Sequence, residues 1–526
     1  MRKVTLNNLL NAYGEDLLKY IFSIDENEKL PESEDLLDKE TFDILAKHTI
    51  QNGWIMELSV LFRTLPGSLS LPVLLHMKNS KKDLQPFECE DKLLNSLYKL
   101  LSEIWPIFLC DFSSHKNEYL PKNFSIISVL TSALYGNPLL NEFCKLFLED
   151  NSLKNMFPGT DLKKISESDY GMVSSNWMTN LGSGGTQQMF AVVSSLLFEI
   201  ASRCMMKEDS VTYELLCKYL PDVVCDWKKL AEGKTIKSIC LYGFEGISVE
   251  GDINIKCGDG ILRNPLKYEL NTLLTYDTPP QVVFEKEIEI KIDIISNDIA
   301  QEKINEWFSN NIDDFNKLQM DIQKELDRVK LSILLSSNLE SKELLLANEN
   351  SCFIESPIQN GSQLFGIYKF YKPIGGLLTE TTIKDIRFWY DHIVVDKLSI
   401  AIKRLLSSAV NRPDPTDSFI DAIIVWENIF GTSVETTFRV TASIAKLLEE
   451  DLEKRKILRK ELKKLYDSRS KLVHGTSELS FEEAQKCKER AINIAIKTLK
   501  RLYRDRSDLI PYNSDLRSEI ILLETD

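Results

Sequence analysis

Between residues 234 and 295 the spacing of apolar side chains changes from a helical to a strand period, and that change constrains the fold more than any single motif. The runs IKSICLYGF, ISVEGDINIKCGDGIL and VVFEKEIEIKIDII alternate apolar with polar positions and are separated by glycines, which predicts a small strand-rich module. On either side the period is helical. At 526 residues the chain is long for one core, and a rule of about 150 residues per domain predicts two to four units. The expected fold class is mainly α. A largely helical N-terminal region over 1–232 precedes the strand-rich module with a long helix over 233–376, and a helical bundle occupies 377–526.

Residues 1 to 230 read as helices broken by Leu-Pro-Gly at 65–67, Gly-Asn-Pro at 136–138 and Phe-Pro-Gly at 157–159. LGSGGTQQMF (181–190) places three glycines before a helix. It lacks the lysine of a phosphate loop and no strand is legible before it, so a turn is expected rather than a nucleotide site, and no cofactor is expected. A helix is predicted from 299 to 336, and SCFIESPIQNGSQLFGIYKF (351–370) reads as short strands before a boundary at Pro-Ile-Gly-Gly, 373–376.

The start, MRKVTLNNLLNAYGEDLL, has no continuous apolar core, and the most apolar window, MFAVVSSLLFEIASRCMM (189–206), carries Glu199 and Arg203. A buried helix is predicted there instead of a membrane span, and with it a cytoplasmic protein without membrane contact. Ten cysteines form no Cys-x-x-Cys pair and have no histidine at ligand spacing, which predicts reduced core thiols and no metal site.

The net charge of −15 excludes a protein whose whole surface grips nucleic acid. The charge is unevenly spread. Residues 451–506 hold 17 basic and 9 acidic side chains, while residues 1–380 carry a net −17. The basic stretch surrounds the most informative text in the chain.

Helices are predicted near 384–409, 418–430, 436–449, 453–474 and 481–503, with a capping box at Ser480 and Glu483 and a helix stop at Gly475. Leu458, Leu462, Leu465, Arg469 and Leu472 share one stripe at helical steps, so a guanidinium lies on an apolar face. In 418–430, Ile420, Ile423 and Ile424 mark the inner face, and Glu427 continues it. Charges removed from water must pair or open onto a wet cleft, which makes Glu427 and Arg469 expected partners. His474 lies five residues beyond Arg469, about 140° away on a regular helix; a loosened last turn at Gly475 would bring the two side chains together.

Arg469-Ser-Lys-Leu-Val-His474 fits the R-x4-6-H motif of the HEPN superfamily, which includes metal-independent ribonucleases of bacterial defence and toxin systems. The order of DSFIDAIIVWENIFG, TTFRVTASIAKLL and LKKLYDSRSKLVHG resembles the ApeA-like HEPN family over about residues 380–510. The resemblance implies a four-helix core that dimerises so that two motifs face one cleft. It assigns Arg469 and His474 as the catalytic pair and Glu427 as orienter of the arginine. Ser470 departs from the Asn, Asp or His that often comes after the arginine, so a polar helper role there is open.

The same resemblance sets the functional expectation, an endoribonuclease effector of anti-phage, abortive-infection-like defence. RNA is its substrate, a homodimer its active form, and a phage-derived trigger is sensed by the N-terminal region. Two rival readings remain: a non-catalytic module that binds RNA or a nucleotide, and an interaction protein in which Glu427 and Arg469 merely pin the bundle.

Overall fold

The computed structural model describes the chain except residues 1–3, 51–57, 59–60, 63–68, 112–121, 181–183, 250, 275–278, 297, 340–343, 356–375, 477 and 525–526. It is 63% helical and 12% strand, so the chain is mainly α with a strand-rich module. The Leu-Pro-Gly at 65–67, most of the stretch 351–370 and Pro-Ile-Gly at 373–375 lie outside the described residues.

The first helices are α1 (Leu6–Tyr13), α2 (Glu15–Phe22), α3 (Lys39–Ile50), α4 (Leu71–Ser80), α5 (Lys92–Ile104), α6 (Lys122–Leu134), α7 (Pro138–Glu149), α8 (Met189–Glu208) and α9 (Tyr213–Ala231). Their apolar faces form one large core. Helix α8 is long and apolar enough to cross a membrane, yet 89% of its most apolar stretch is buried inside the protein. All ten cysteines are free thiols, and Cys225 is the exposed one.

One expectation for this region is corrected. A strand does precede the glycine-rich stretch: β1 (Ser174–Thr179) pairs antiparallel with β2 (Gly184–Gln188), and β1 also pairs with β8 (Ile294–Ser296). In SSNWMT the inward positions are Ser175, Trp177 and Thr179, so the alternation carries only one large apolar side chain and is weak in sequence. The described part of LGSGGTQQMF is thus a strand that leads into α8.

The predicted strand texture at 234–295 becomes a five-stranded antiparallel sheet in the order β5 (Asn254–Cys257), β6 (Gly260–Arg263), β7 (Val282–Ile290), β3 (Ile236–Glu245) and β9 (Asn348–Ile354). A short parallel pair joins β4 (Ile247–Val249) to β10 (Gly376–Leu378). The tight β5–β6 turn needs Gly258: its φ is +58°, and a Cβ there would lie 2.8 Å from the Tyr390 ring. Alternate positions leave the sheet on opposite sides. Leu241, Val283 and Phe353 enter the N-terminal core, while Tyr242, Phe284 and Cys352 enter a second core against helix α10 (Gln301–Leu335).

Helix α10 ends in a third core. Leu331, Leu334 and Leu335 pack there with Trp389 of α11 (Glu380–His392) and with α12 (Ser399–Leu406), α13 (Pro415–Phe430), α14 (Thr436–Leu448), α15 (Leu452–Val473), α16 (Phe481–Asp505) and α17 (Ser514–Leu523). The single helix expected over 384–409 is two helices. The β-branched run Ile393, Val394 and Val395 is a poor helix former, Ile393 is extended at ψ 123°, and Ile393 and Leu398 are buried by the break. The Ser480–Glu483 capping box forms as predicted, with Glu483 N–H donating to Ser480 Oγ at 3.3 Å.

The N-terminal core holds a buried charge cluster. Arg203 donates to Glu355 from Nε at 2.5 Å and to Asp226 from Nη1 at 3.0 Å, and lies 3.5 Å from Glu199. Trp227 Nε1 donates to Glu199 at 2.8 Å. Burial, with the Glu355 carboxylate beside it, pushes the Glu199 carboxyl up to about 8 against the pull of Arg203. The folded chain therefore keeps a proton that the unfolded chain releases near about 4.3. Between that value and about 8, this group lowers stability as pH rises. Glu199→Gln cannot ionise, so thermal melts from pH 5 to 8 should show the variant gaining stability relative to the parent chain with rising pH; parallel profiles would refute the assignment.

Candidate functional site

Helix α13 starts at an N-cap, Asp414, whose carboxylate accepts from Asp417 N–H at 2.9 Å, with Pro415 in the first turn. Its buried face is Phe419, Ala422, Ile423, Trp426 and Ile429. Ile420 and Ile424, expected inside, are only half-buried, because the packing of α13 against α16 turns the helix so that Trp426 leads and donates from Nε1 to the Ala491 carbonyl at 3.3 Å. Glu427 shares that half-buried flank and reaches the neighbouring helix α15.

Asp421, earlier on the same helix, is a buried carboxylate of another kind. Arg404 Nη1 at 2.6 Å, Arg412 Nε at 2.9 Å and Ser407 Oγ at 2.8 Å all donate to it. It is saturated, and it ties α12 and its π-helical extension to α13.

Glu427 is engaged differently. Arg469 Nη2 donates to its Oε2 at 3.2 Å, and Tyr466 Oη donates to its Oε1 at 2.5 Å. The pair expected from the sequence is thus brought together. Tyr466 was missed: it lies three residues before Arg469, on the same face and one turn away, and a carboxylate with two oxygens on that flank was the signal that a second donor was needed. Burial, with the Glu427 carboxylate adjacent, pushes the Tyr466 phenol up, so it stays protonated as a donor. Arg469 is left incompletely partnered. Its Nε is buried without an acceptor, and among the described residues its Nη1 has none.

Helix α15 remains regular through Val473. Gly475, with φ +65°, closes a Schellman turn in which Thr476 N–H donates to the Lys471 carbonyl and Gly475 N–H to the Leu472 carbonyl, each at 3.0 Å. His474 is the C-cap, exposed. The expected loosening is therefore absent: its side chain makes no hydrogen bond to Arg469 or Glu427 among the described residues. The turn satisfies the last carbonyls without unwinding the helix. Ser470 is half-buried, and its carbonyl accepts from His474 N–H at 3.1 Å. Among the described residues no His, Cys, Asp and Glu side chains are grouped to hold a metal ion.

No family model matches the chain, no curated protein matches it, and no solved structure matches its fold.

The asymmetry between a packed pair and an exposed histidine gives a test. Glu427→Ala strips the carboxylate from one buried and one half-buried donor, Tyr466 and Arg469, and should cost about 1–3 kcal/mol in chemical denaturation. His474→Ala should change stability by less than about 0.5 kcal/mol. A histidine variant as destabilised as the glutamate variant would make His474 a structural residue.

Proposed function

We propose that this chain is a metal-independent RNA endonuclease of the HEPN type, with Arg469 and His474 as its catalytic pair, Glu427 as the residue that orients Arg469, and Ser470 as a polar neighbour of the site. The observation that carries the reading is Arg469 itself: held from one side by Glu427, with donors left over, on the helix that ends in an exposed histidine. The resemblance in motif and helix order supports it, as does the basic stretch around it.

RNA brings its own nucleophile. Removal of the 2′-hydroxyl proton lets O2′ attack phosphorus, the bond to O5′ breaks, and the departing oxygen takes a proton. The products are a 2′,3′-cyclic phosphate and a 5′-hydroxyl end. His474 handles the proton, since imidazole suits transfer near neutral pH. Arg469 offsets the charge of the phosphorane, because a guanidinium stays protonated and offers two donors to two oxygens. DNA, without the 2′-hydroxyl, is spared.

One chain supplies one histidine, whereas the reaction uses an acid and a base. A second copy provides the second set, and the active form is assigned as a homodimer in which two α15 ends meet. Val473, next to His474 in the chain, and Phe481, at the start of α16, are exposed and offer apolar surface for that contact. The N-terminal region is assigned, by resemblance alone, to sensing a trigger such as phage infection in the bacterial cytoplasm. The alternative, a non-catalytic module that binds RNA or a nucleotide, draws on the lack of an Arg469–His474 hydrogen bond among the described residues.

A cleavage assay separates the two. Arg469→Ala and His474→Ala should each lower RNA cleavage by at least about a hundredfold while remaining folded; cleavage at the parent rate by either variant removes that residue from the site. Activity should persist in excess EDTA, and loss on chelation with return on adding magnesium would defeat the mechanism.

Assembly is tested separately. Specific activity should rise with protein concentration. A strictly monomeric preparation that cleaves at full, concentration-independent rate would rule out the composite site.

A further inference from the structure

At the other end of α15 and α16 from Arg469, a cavity of about 350 Å³ opens between the end of α14, the first turns of α15 and the last turns of α16. Leu458 on its wall precedes Arg469 by about 16 Å of helix, so this is a separate place on the bundle. Five cations line it: Arg490, Lys497, Lys500, Arg501 and Arg504.

Two of the five are already neutralised. Arg490 makes a two-pronged pair with Glu461 at 2.5 and 2.8 Å, and Arg501 bonds Asp505 at 2.7 Å. The other three have no carboxylate partner among the described residues. Lys500 donates only to the Ser337 carbonyl, at 3.0 Å, and the guanidinium of Arg504 lies over the Trp389 and Phe388 rings at 4.8 and 5.3 Å. Lys497 is exposed and makes no hydrogen bond or ion pair among those residues. Burial pushes the Lys500 ammonium down, and the nearby charges of Arg504 and Lys497 push it further, against Asp385. Of the two carboxylates on the lining, Asp505 is taken by Arg501, which leaves Glu449 to oppose this excess.

Like charges held together around a concave space, with one of them half-buried, are stabilised by an anion that fills it. Three separate donors can hold the three oxygens of a terminal phosphate, whose dianion offsets the uncompensated charge, or share the non-bridging oxygens of successive phosphodiesters along a strand. Leu448, Leu458 and Ile494 give the same cavity an apolar wall.

We propose that this cavity binds a phosphate-bearing ligand, its phosphate oxygens on Lys497, Lys500 and Arg504 and its organic part against Leu448, Leu458 and Ile494. The proposal is independent of the cleavage chemistry at Arg469. The phosphate comes either from a small phosphate compound or from the backbone of a nucleic acid strand, and both sources use the same donors.

The test is calorimetric titration of the full chain with sodium pyrophosphate and, separately, with a single-stranded decaribonucleotide, each at constant ionic strength. An Arg469→Ala background prevents cleavage of the oligonucleotide. Parallel titrations use Lys497→Ala and Arg504→Glu, which alter exposed side chains and should melt within a few degrees of the parent, and Lys500→Met. Saturable pyrophosphate binding that falls at least tenfold in the variants supports the site and a small-ligand source. A tenfold loss confined to the oligonucleotide supports the site and a backbone source. Binding of both probes unchanged by the substitutions, or no saturable binding of either, overturns the proposal.

Discussion

The strand Ile236–Glu245 is the element on which the rest of the molecule depends. It is an interior strand of the five-stranded sheet, paired on both sides, and its side chains leave alternately into two cores, Leu241 toward the N-terminal helices and Cys240, Tyr242 and Phe244 toward α10. A strand buried on both faces cannot slip by one residue, since a slip exchanges every side chain between the two cores. Its register with β7, from Ile236 opposite Ile290 to Phe244 opposite Val282, is therefore fixed by two packing problems at once. Helix α10 extends the same constraint, because Ile322, Leu326 and Val329 pack beneath the sheet while Leu331, Leu334 and Leu335 enter the C-terminal core.

Three of the buried or half-buried charge clusters on this frame differ in how fully they are partnered. Asp421 takes three donors, which suits a joint between helices. Arg203 faces three carboxylates, one of them pushed up by burial, and this cluster carries α8, α9 and the end of β9 together. Arg469 has one carboxylate and keeps donors without acceptors. A guanidinium that serves only to pin two helices gains from saturation, since an unmet buried donor costs about 1–3 kcal/mol. An unpartnered buried guanidinium nitrogen, Nε, marks Arg469, whereas the Arg203 cluster leaves a carboxylate oxygen of Glu199 without a hydrogen bond instead. That unmet donor fits a residue held ready for an outside acceptor.

Much of the candidate site was legible because periodicity places residues on helix faces. The step pattern through Leu458, Leu462 and Arg469 put a charge on a packed stripe, and the same arithmetic in 418–430 put Glu427 on the inner face, where it needed a cation; in the fold that position is a half-buried flank. Tyr466 escaped this reading, since an aromatic on a buried stripe signals core before it signals a donor. The split of the helix expected over 384–409 and the hairpin at 174–188 escaped for a related reason: each is decided by which neighbour buries Ile393 or Trp177.

By itself, the sequence determined the mainly helical class, the place of the strand-rich stretch, the cap at Ser480, the stop at Gly475 and the pairing need of Glu427 and Arg469. All of these come from local period, local turn chemistry or the cost of burying a charge. Only the tertiary structure decided which cations around α16 find carboxylates and which core each face of Ile236–Glu245 enters. Those outcomes depend on contacts between residues far apart in the chain, where the choice of partner is set by competition among all the surfaces that fold together.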